Sequence, residues 1–389
     1  MGNLSDIAVV GAGFSGTVLA YKLAEAGCRV TLFEERNHLG GNSYSRREPQ
    51  TGVMVHHYGP HIFHTANEEV WQFINRFTRM MPYLHRVRTT VRGKVYLLPI
   101  NLLTLNQFFG KAMRPEEARQ FVASLAEPAT RPAANFEEQA LQMVGRELYE
   151  TFFRGYTRKQ WGREPTELPA WILKRLPLRF TYHDSYYNHP YQGIPKDGYV
   201  PIFEKLVDHP RITVKLNTPF SREMCGQFDH VFYSGTLDGF FDYHFGYLPY
   251  RTLRFEEEIH DGDYLGCPVM NFGDEDIPYT RICEHKFFTD WEDHDRTVIY
   301  REYSEDWRPG AIPYYPIRLT EEEKLLARYV ELASQETTNV TFLGRLGTFR
   351  YLDMDQTVAE ALTIAERFCD YRTRQEQPPP FIIPPVSAH

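Results

Sequence analysis

Residues Ile7 to Asn42 constrain this chain more than any other stretch. A short apolar run, Asp6-Ile7-Ala8-Val9-Val10, leads into Gly11-Ala12-Gly13-Phe14-Ser15-Gly16, a helical pattern and a second strand ending at Glu34. The run suits a buried parallel strand, and Leu19, Ala20, Leu23 and Ala24 recur at helical spacing behind the glycines. Gly11 permits the tight turn, Gly13 lets a pyrophosphate approach the backbone, and Gly16 lets helix and strand pack closely, while the helix N-terminus attracts negative charge. The strand Arg29 to Phe33 follows, and Glu34 stands 18 residues past Gly16 (34 minus 16), where an acidic side chain holds a ribose 2′-hydroxyl. Glycines in this strand, helix, strand, acid context predict a dinucleotide grip; a ligand-free glycine turn is the alternative. These residues alone do not separate FAD from NAD.

At 389 residues the chain has room for two or three domains. Aromatic residues make up 15% of it, with 25 Tyr and 27 Phe, which suits surfaces for planar rings as well as ordinary cores. A net charge of −8 argues against a broad nucleic-acid footprint, so an anionic ligand must be met by a local cluster of Arg. Cys28, Cys225, Cys267, Cys283 and Cys369 are scattered and free of any CxxC pair, which fits reduced thiols in a cytoplasmic protein. With no run of about 18 apolar residues and no basic segment leading into an apolar one, neither a membrane span nor a signal peptide is expected.

Changes of pattern mark the organisation. Residues 1 to about 80 have α/β character, and Val87 to Val91 with Lys94 to Leu98 flank Arg92-Gly93 as a hairpin. Pro115 with Glu116 and Glu117 opens one helix; Asn135 with Glu138 opens another, running through Ala140, Leu141, Val144, Leu148 and Phe152. From about 180 to 196 and from 250 to 316 the pattern turns to strands, such as Thr297-Val298-Ile299-Tyr300, which favours an antiparallel sheet. Ile212 to Leu216 and His230 to Ser234 resemble further buried strands of the first domain, making that domain discontinuous. The tail from Pro378 is too proline-rich for a compact element.

Just past the second strand, Arg36 and the pair Gly40-Gly41 let backbone pass close to a bound cofactor, a combination nearer to FAD proteins than to NAD ones. Near the C-terminus, Gly344 to Asp355 precedes a helix through Val358, Ala361, Leu362, Ala365 and Phe368. A helix starting there is placed to aim its positive end at a flavin pyrimidine ring; an ordinary capped helix fits the same residues.

Together with Tyr58-Gly59-Pro60-His61-Ile62-Phe63-His64-Thr65, Gly155-Tyr156-Thr157-Arg158-Lys159-Gln160-Trp161, Leu173-Lys174-Arg175-Leu176-Pro177 and Gly344 to Met354, the fingerprint resembles the bacterial UDP-galactopyranose mutases. The resemblance covers nearly the whole chain apart from the proline-rich tail. It implies an isomerase that interconverts UDP-α-D-galactopyranose and UDP-α-D-galactofuranose by covalent catalysis through N5 of reduced FAD, with no net redox. It further implies a cytoplasmic homodimer serving galactofuranose biosynthesis for the cell wall, with no metal. The expected fold is α/β: a discontinuous Rossmann-like FAD-binding domain (1–84, 197–245 and 317–389), a helical domain with a mobile substrate loop (102–175), and an antiparallel β-sheet substrate domain (85–101, 176–196 and 246–316).

The resemblance also assigns residues. FAD falls to Gly11, Gly13, Phe14, Ser15, Gly16, Glu34, Glu35, Arg36, Gly41, Asn42, His61, Ile62, Arg345, Tyr351, Leu352, Asp353 and Met354. Arg175 and Arg281 hold the diphosphate whose bond to carbon breaks and re-forms, a task for planar, bidentate Arg; read without the family, each is an ordinary surface cation. His61 joins them in catalysis, beside the flavin. Phe152, Tyr156, Thr157 and Trp161 match the uridine end. Residues 149–191 hold 11 aromatics among 43 positions, enough for a stacking platform, although helical spacing suits core packing as well. Tyr186, Tyr315 and Tyr351 lie toward the diphosphate, Arg251, Asn271 and Arg345 line the cleft, and His85 and Tyr187 belong with the substrate-binding residues.

His85 stands where enterobacterial members carry Asn, which makes affinity pH-dependent near neutrality if its imidazole meets phosphate; Tyr187 likewise stands in place of Phe. His56, His57, His61 and His64 invite a metal reading, but Gly59-Pro60 prevents the helix that would align a pair, and no HExxH occurs. Gly162, Pro165, Pro169 and Pro177 punctuate a segment expected to close over UDP and deliver Arg175. Three rivals predict other behaviour. An FAD oxidoreductase of the amine oxidase or desaturase type would reduce its flavin with substrate and consume oxygen. A UDP-sugar binding module would bind without turnover. An NAD dehydrogenase would leave Arg36 and the C-terminal motif unexplained.

Overall fold

In the computed structural model, residues 5–175 and 178–385 are described, without the side chains of Lys174, Arg175, Thr320 and Glu321. Five parallel strands, in the order Ile212–Lys215, Arg29–Phe33, Asp6–Val10, His230–Tyr233 and Val340–Phe342, form the sheet that carries the glycine turn. Alternation along the first strand sends Ile7 and Val9 to one core and Ala8 to the other. The helices α1 (Phe14–Glu25) and α2 (Met354–Arg374) cover the first face, and the helix Thr320–Glu336 brings Leu326 and Tyr329 onto the second. Burial on both faces is what a parallel sheet requires.

A second sheet of seven strands runs in the order Tyr315–Pro316, Tyr250–Asp261, Arg296–Asp306, Arg281–Glu284, Val269–Phe272, Val87–Val91 and Lys94–Leu98. Its pairings are antiparallel except for Val269–Phe272 beside Val87–Val91. The hairpin expected at Arg92-Gly93 is present, with φ of 52° and 71° at its two central residues.

Three local expectations are corrected. Of the stretch 180–196 only Tyr191–Pro195 is a strand, and it pairs with Phe63–Thr65 and Met80–Pro82 in a separate small sheet rather than with the seven strands. The preceding residues loop because Arg179 donates to the carbonyls of Ser185 and Tyr186 and to Asn188. The helix opened by Asn135, whose side chain accepts from Glu138 N at 2.9 Å, stops at Val144. Gly145 ends it by turning to φ 77°, and only glycine fits there, since a Cβ would lie 2.3 Å from the Leu125 carbonyl; Tyr149–Arg154 then continues as a wide π-helical turn into Gly155–Trp161. The tail also packs: Pro380 O accepts from Phe342 N at 2.8 Å, and Ile382 is buried against α2's core. Among the described residues no helix is long and apolar enough to cross a membrane.

Candidate active site

The glycine turn is built for a ligand. Gly11 adopts φ 95°, and a Cβ there would lie 2.2 Å from Ser234 Oγ; one on Gly16 would lie 1.8 Å from Gly11 O. Those two glycines are demanded by packing. A Cβ on Gly13 would meet only Gly40 O and Gly41 Cα, both at 3.9 Å, so no protein atom demands glycine there, whereas a phosphate brought to the start of α1 does. Glu34 is buried and preset: its carboxylate accepts from Ala12 N at 2.7 Å and Arg36 N at 2.9 Å. Arg36 lies over the Tyr58 ring at 4.7 Å with its Nη1 buried and unpartnered, a cation awaiting an acceptor. These features fit a dinucleotide cofactor. Phe14 lies in the core beneath the turn, Ser15 faces Gly344, and Glu35 is exposed.

Beyond the turn lies a cavity of about 480 Å³. It gathers Asn42, His61, Ile62, Tyr186, Tyr187, Arg281, Tyr315, Arg345, Tyr351, Asp353 and Met354 from the predicted residues, and Tyr58, His64, Tyr314 and His189 besides. The N-terminus of α2 opens onto it, with Asp353 as its cap residue and Asp353 N donating to Gln356 at 3.0 Å. The positive end of a 21-residue helix therefore faces the cavity.

Arg281 is the cavity's central cation. Its Nε and Nη2 reach Glu302 at 2.7 and 2.6 Å, and Glu302 is fully buried. Burial opposes the charge on Arg281, but Glu302 more than offsets it and raises the pKa, so this guanidinium is fixed in place and permanently charged. Tyr315 and Tyr351 stack at 5.4 Å and 9°, with the Arg345 guanidinium 4.9 Å above the Tyr351 ring. Arg345 donates to Leu352 O and Tyr314 O, so it braces the cavity wall. His61 accepts at neither end of a charge pair: its Nδ1 meets Gly59 O at 2.7 Å, its backbone N donates to His56 Nδ1, and burial lowers its pKa to about 4. It is a neutral imidazole at physiological pH. Burial raises the pKa of the Tyr187 and Tyr315 hydroxyls, keeping them as neutral hydrogen-bond groups.

Other predicted residues stand outside the cavity lining. Tyr156 lies within the field of Arg281, Glu302, Tyr186 and Tyr315, and Asn271 pairs across the strands with Arg281. Phe152 is in the core against Tyr96 at 5.1 Å, Thr157 is buried, and Trp161 packs on the same cluster. Arg251 is buried with its guanidinium committed to Asp306, Ser304 and the Gln160 carbonyl. His85 stacks 5.7 Å behind Tyr187, and burial lowers its pKa to about 3, which removes the titration near neutrality expected for it. The Arg175 side chain lies outside the described residues, and Leu168, Ile172 and Leu173 of its segment are buried in the core. The four clustered histidines face different partners, His64 meeting His189 at 2.8 Å, and no metal-binding group occurs among the described residues.

Reasoning from sequence missed Glu302, Tyr314 and His189. Glu302 sits opposite Arg281 in the sheet register, a pairing no linear signal announces. The Tyr315 and His64 neighbourhoods offered only weak hints of the other two.

Comparison with known proteins decides the assignment. The profile of the family described as UDP-galactopyranose mutase matches residues 151–351. The chain is also 54% identical to a probable UDP-galactopyranose mutase of Klebsiella pneumoniae, over 98% of this chain and 99% of that one. The chain belongs to the UDP-galactopyranose mutase family. It is thus an enzyme of the mutase, or isomerase, type. Among further relatives, the Mycoplasma pneumoniae UDP-galactopyranose mutase is 33% identical over 94% of this chain and 96% of its own, whereas a relative with another substrate name, a dTDP-fucopyranose mutase of Escherichia coli, is 47% identical over 94% and 98%. A profile described as an NAD(P)-binding Rossmann-like domain matches residues 9–77. Family and fold together imply a flavin. In fold, the chain resembles a crystal structure of a reduced UDP-galactopyranose mutase (TM-score 0.72, 16% identity, 94% of this chain and 96% of that one). It also resembles a putative protoporphyrinogen oxidase (TM-score 0.66, 15% identity, 94% and 98%).

Proposed function

We propose that this enzyme interconverts UDP-galactopyranose and UDP-galactofuranose with FAD held in its reduced state. The observation that carries the reading is the cavity itself, where a half-buried Arg281, fixed by the buried Glu302, meets a stack of tyrosines at the end of a helix N-terminus. When bound and reduced, FAD supplies the nucleophile for the anomeric carbon and recovers its electrons, so the reaction is redox-neutral.

The chain's own residues do the rest. Gly13 and the start of α1 take the pyrophosphate of the cofactor, Glu34 its ribose, and Arg36 its remaining negative charge. Arg281 stabilises the diphosphate as it leaves and keeps it near for return, with Arg175 assigned the same role by family likeness. Tyr186, Tyr187, Tyr315 and Tyr351 offer hydroxyls to the phosphates and sugar, and Tyr156, Phe152 and Trp161 belong to the uridine end. His61, neutral and anchored to Gly59 O, presents its other ring nitrogen beside the flavin. In this reading residues 1–84, 197–245 and 317–389 hold FAD, 102–175 form the helical part, and 85–101, 176–196 and 246–316 the substrate side. A cytoplasmic homodimer supplying galactofuranose for the cell wall belongs to the same reading, and sedimentation velocity tests its oligomeric part.

The likeness to a dTDP-fucopyranose mutase supports a second substrate pair. One anaerobic experiment addresses both. The purified protein is chemically reduced, given UDP-galactofuranose or dTDP-fucofuranose in separate vessels, and the sugar nucleotides are separated. Formation of UDP-galactopyranose is expected; its absence sinks the proposal, and conversion of the thymidine nucleotide alone favours the second pair. Cyanoborohydride should trap a galactosyl group on the flavin. Oxygen uptake driven by substrate would instead favour the oxidoreductase reading.

A further inference from the structure

The short helix Gly155–Trp161 carries Tyr156 and Trp161, and its placement depends on a contact that the reaction scheme leaves unused. Lys159 Nζ lies 2.7 Å from Phe272 O, 2.8 Å from Asp274 O, 3.0 Å from Ile277 O and 3.2 Å from Tyr279 O. Three N–H donors thus face a ring of four carbonyls. All four belong to the turn between the strands Val269–Phe272 and Arg281–Glu284, or to the residues bounding it, and those strands bear Asn271 and Arg281. The same turn touches the helix twice more. A Cβ on Gly155 would lie 2.3 Å from Gly273 O, and Arg158 pairs with Glu275.

An ammonium aimed at backbone oxygens, with Asp274, Glu275 and Asp276 close by, is a tethered cation in an oxygen cage. Burial lowers its pKa to about 8 against the pull of those carboxylates, so it remains cationic at neutral pH. At the C-terminal end of the helix, Arg251 and Ser304 donate to the Gln160 carbonyl, so the helix is held at a second point. We propose that Lys159 is a positioning residue of the mutase reaction: its ammonium, caged by the turn's carbonyls, sets the distance between the helix bearing Tyr156 and Trp161 and the strands bearing Asn271 and Arg281. The inference rests on the mutase reading of the cavity.

The cage makes a specific prediction, because deleting the tether leaves a site for a free cation of the same shape. In the flavin-loaded, reduced enzyme, Lys159→Ala should lower turnover about a hundredfold, the scale expected for a misplacement near 1 Å, while flavin content holds. Added n-propylammonium, the fragment removed, should restore turnover saturably; tetramethylammonium, which has no N–H donor, should not. Lys159→Met should be equally impaired and beyond rescue, since its side chain occupies the channel. Turnover near that of the unsubstituted enzyme in Lys159→Ala overturns the proposal, as does propylammonium acting no better than tetramethylammonium. Hydrogen exchange on the unsubstituted holoenzyme needs no variant: residues 155–161 and 273–280 should open at one shared rate, and independent opening also overturns it. Coupled exchange with intact UDP binding but no sugar isomerisation supports the clamp while counting against the mutase reading alone.

Discussion

The glycine turn and the tyrosine cavity hold opposite ends of one cleft on opposite plans. The turn is drawn from residues 6–42, uncharged at its tightest point, and closed on itself so that Ser234 Oγ leaves no room for a Cβ at Gly11 and the Gly11 carbonyl leaves none at Gly16. The cavity gathers side chains from Asn42 to Met354, and its geometry is held by the ion pair of Arg281 with the buried Glu302, by stacked rings and by the neutral His61. The first is a steric device; the second is an electrostatic device whose state follows the protonation of its groups.

The sharpest way to break the contrast is at Arg281. Arg281→Ala strands the fully buried Glu302, so it should cost about 3–5 kcal/mol of stability as well as about a thousandfold in turnover; Arg281→Lys should recover most of the stability and little of the rate. Denaturant melts and anaerobic kinetics check both. At the turn, Gly16→Ala drives a Cβ into the Gly11 carbonyl and should cost about 3 kcal/mol, read as lost flavin content and a lower melting temperature without any change in its pH dependence.

Acid should separate the regions next. Burial lowers His61 to about 4, and His85 and His285 to about 3, below the unfolded value of 6.5. The unfolded chain therefore binds more protons in that window, so stability is complete above about pH 6.5 and falls as pH drops toward 3 to 4, by at most about 1.4 kcal/mol per pH unit for each histidine. Hydrogen exchange near pH 5 should loosen residues 54–65, 83–87 and 281–288, and the strand 230–233 that carries the equally depressed His230, before 14–33; uniform loosening would remove the distinction. The smallest effect is expected at His85. His85→Asn should leave the shape of the UDP-affinity profile between about pH 6 and 8 unchanged, because the imidazole is already neutral there.

Legibility follows the same division. The turn, its helix and Glu34 were readable because each signal lies within a few residues of the next, and so was the Arg92-Gly93 hairpin. The helix through Phe152 was misread at Gly145, whose positive φ ends it and whose lack of a Cβ accommodates a carbonyl of Leu125, twenty positions away in sequence and invisible to periodicity. The strand expected across 180–196 shrank to Tyr191–Pro195 because the Arg179 side chain ties the preceding backbone into a loop, a competition between side chain and sheet that composition does not report. Tyr315 and Tyr351 were singled out by family likeness, but their stacking, and the commitment of Arg345 and Arg251 to carbonyls and Asp306, appear only once distant segments meet.

What the sequence by itself determined is the dinucleotide grip and the family, because glycine spacing, strand and helix periods and ordered motifs are local properties of the chain. What only the tertiary structure decided is the electrical state of the site. Glu302 faces Arg281 through strand register, Lys159 finds four carbonyls of a turn more than a hundred positions away, and His61 and His85 lose their charge through burial. Burial and register arise from contacts between remote segments, and those contacts exist only in the folded chain.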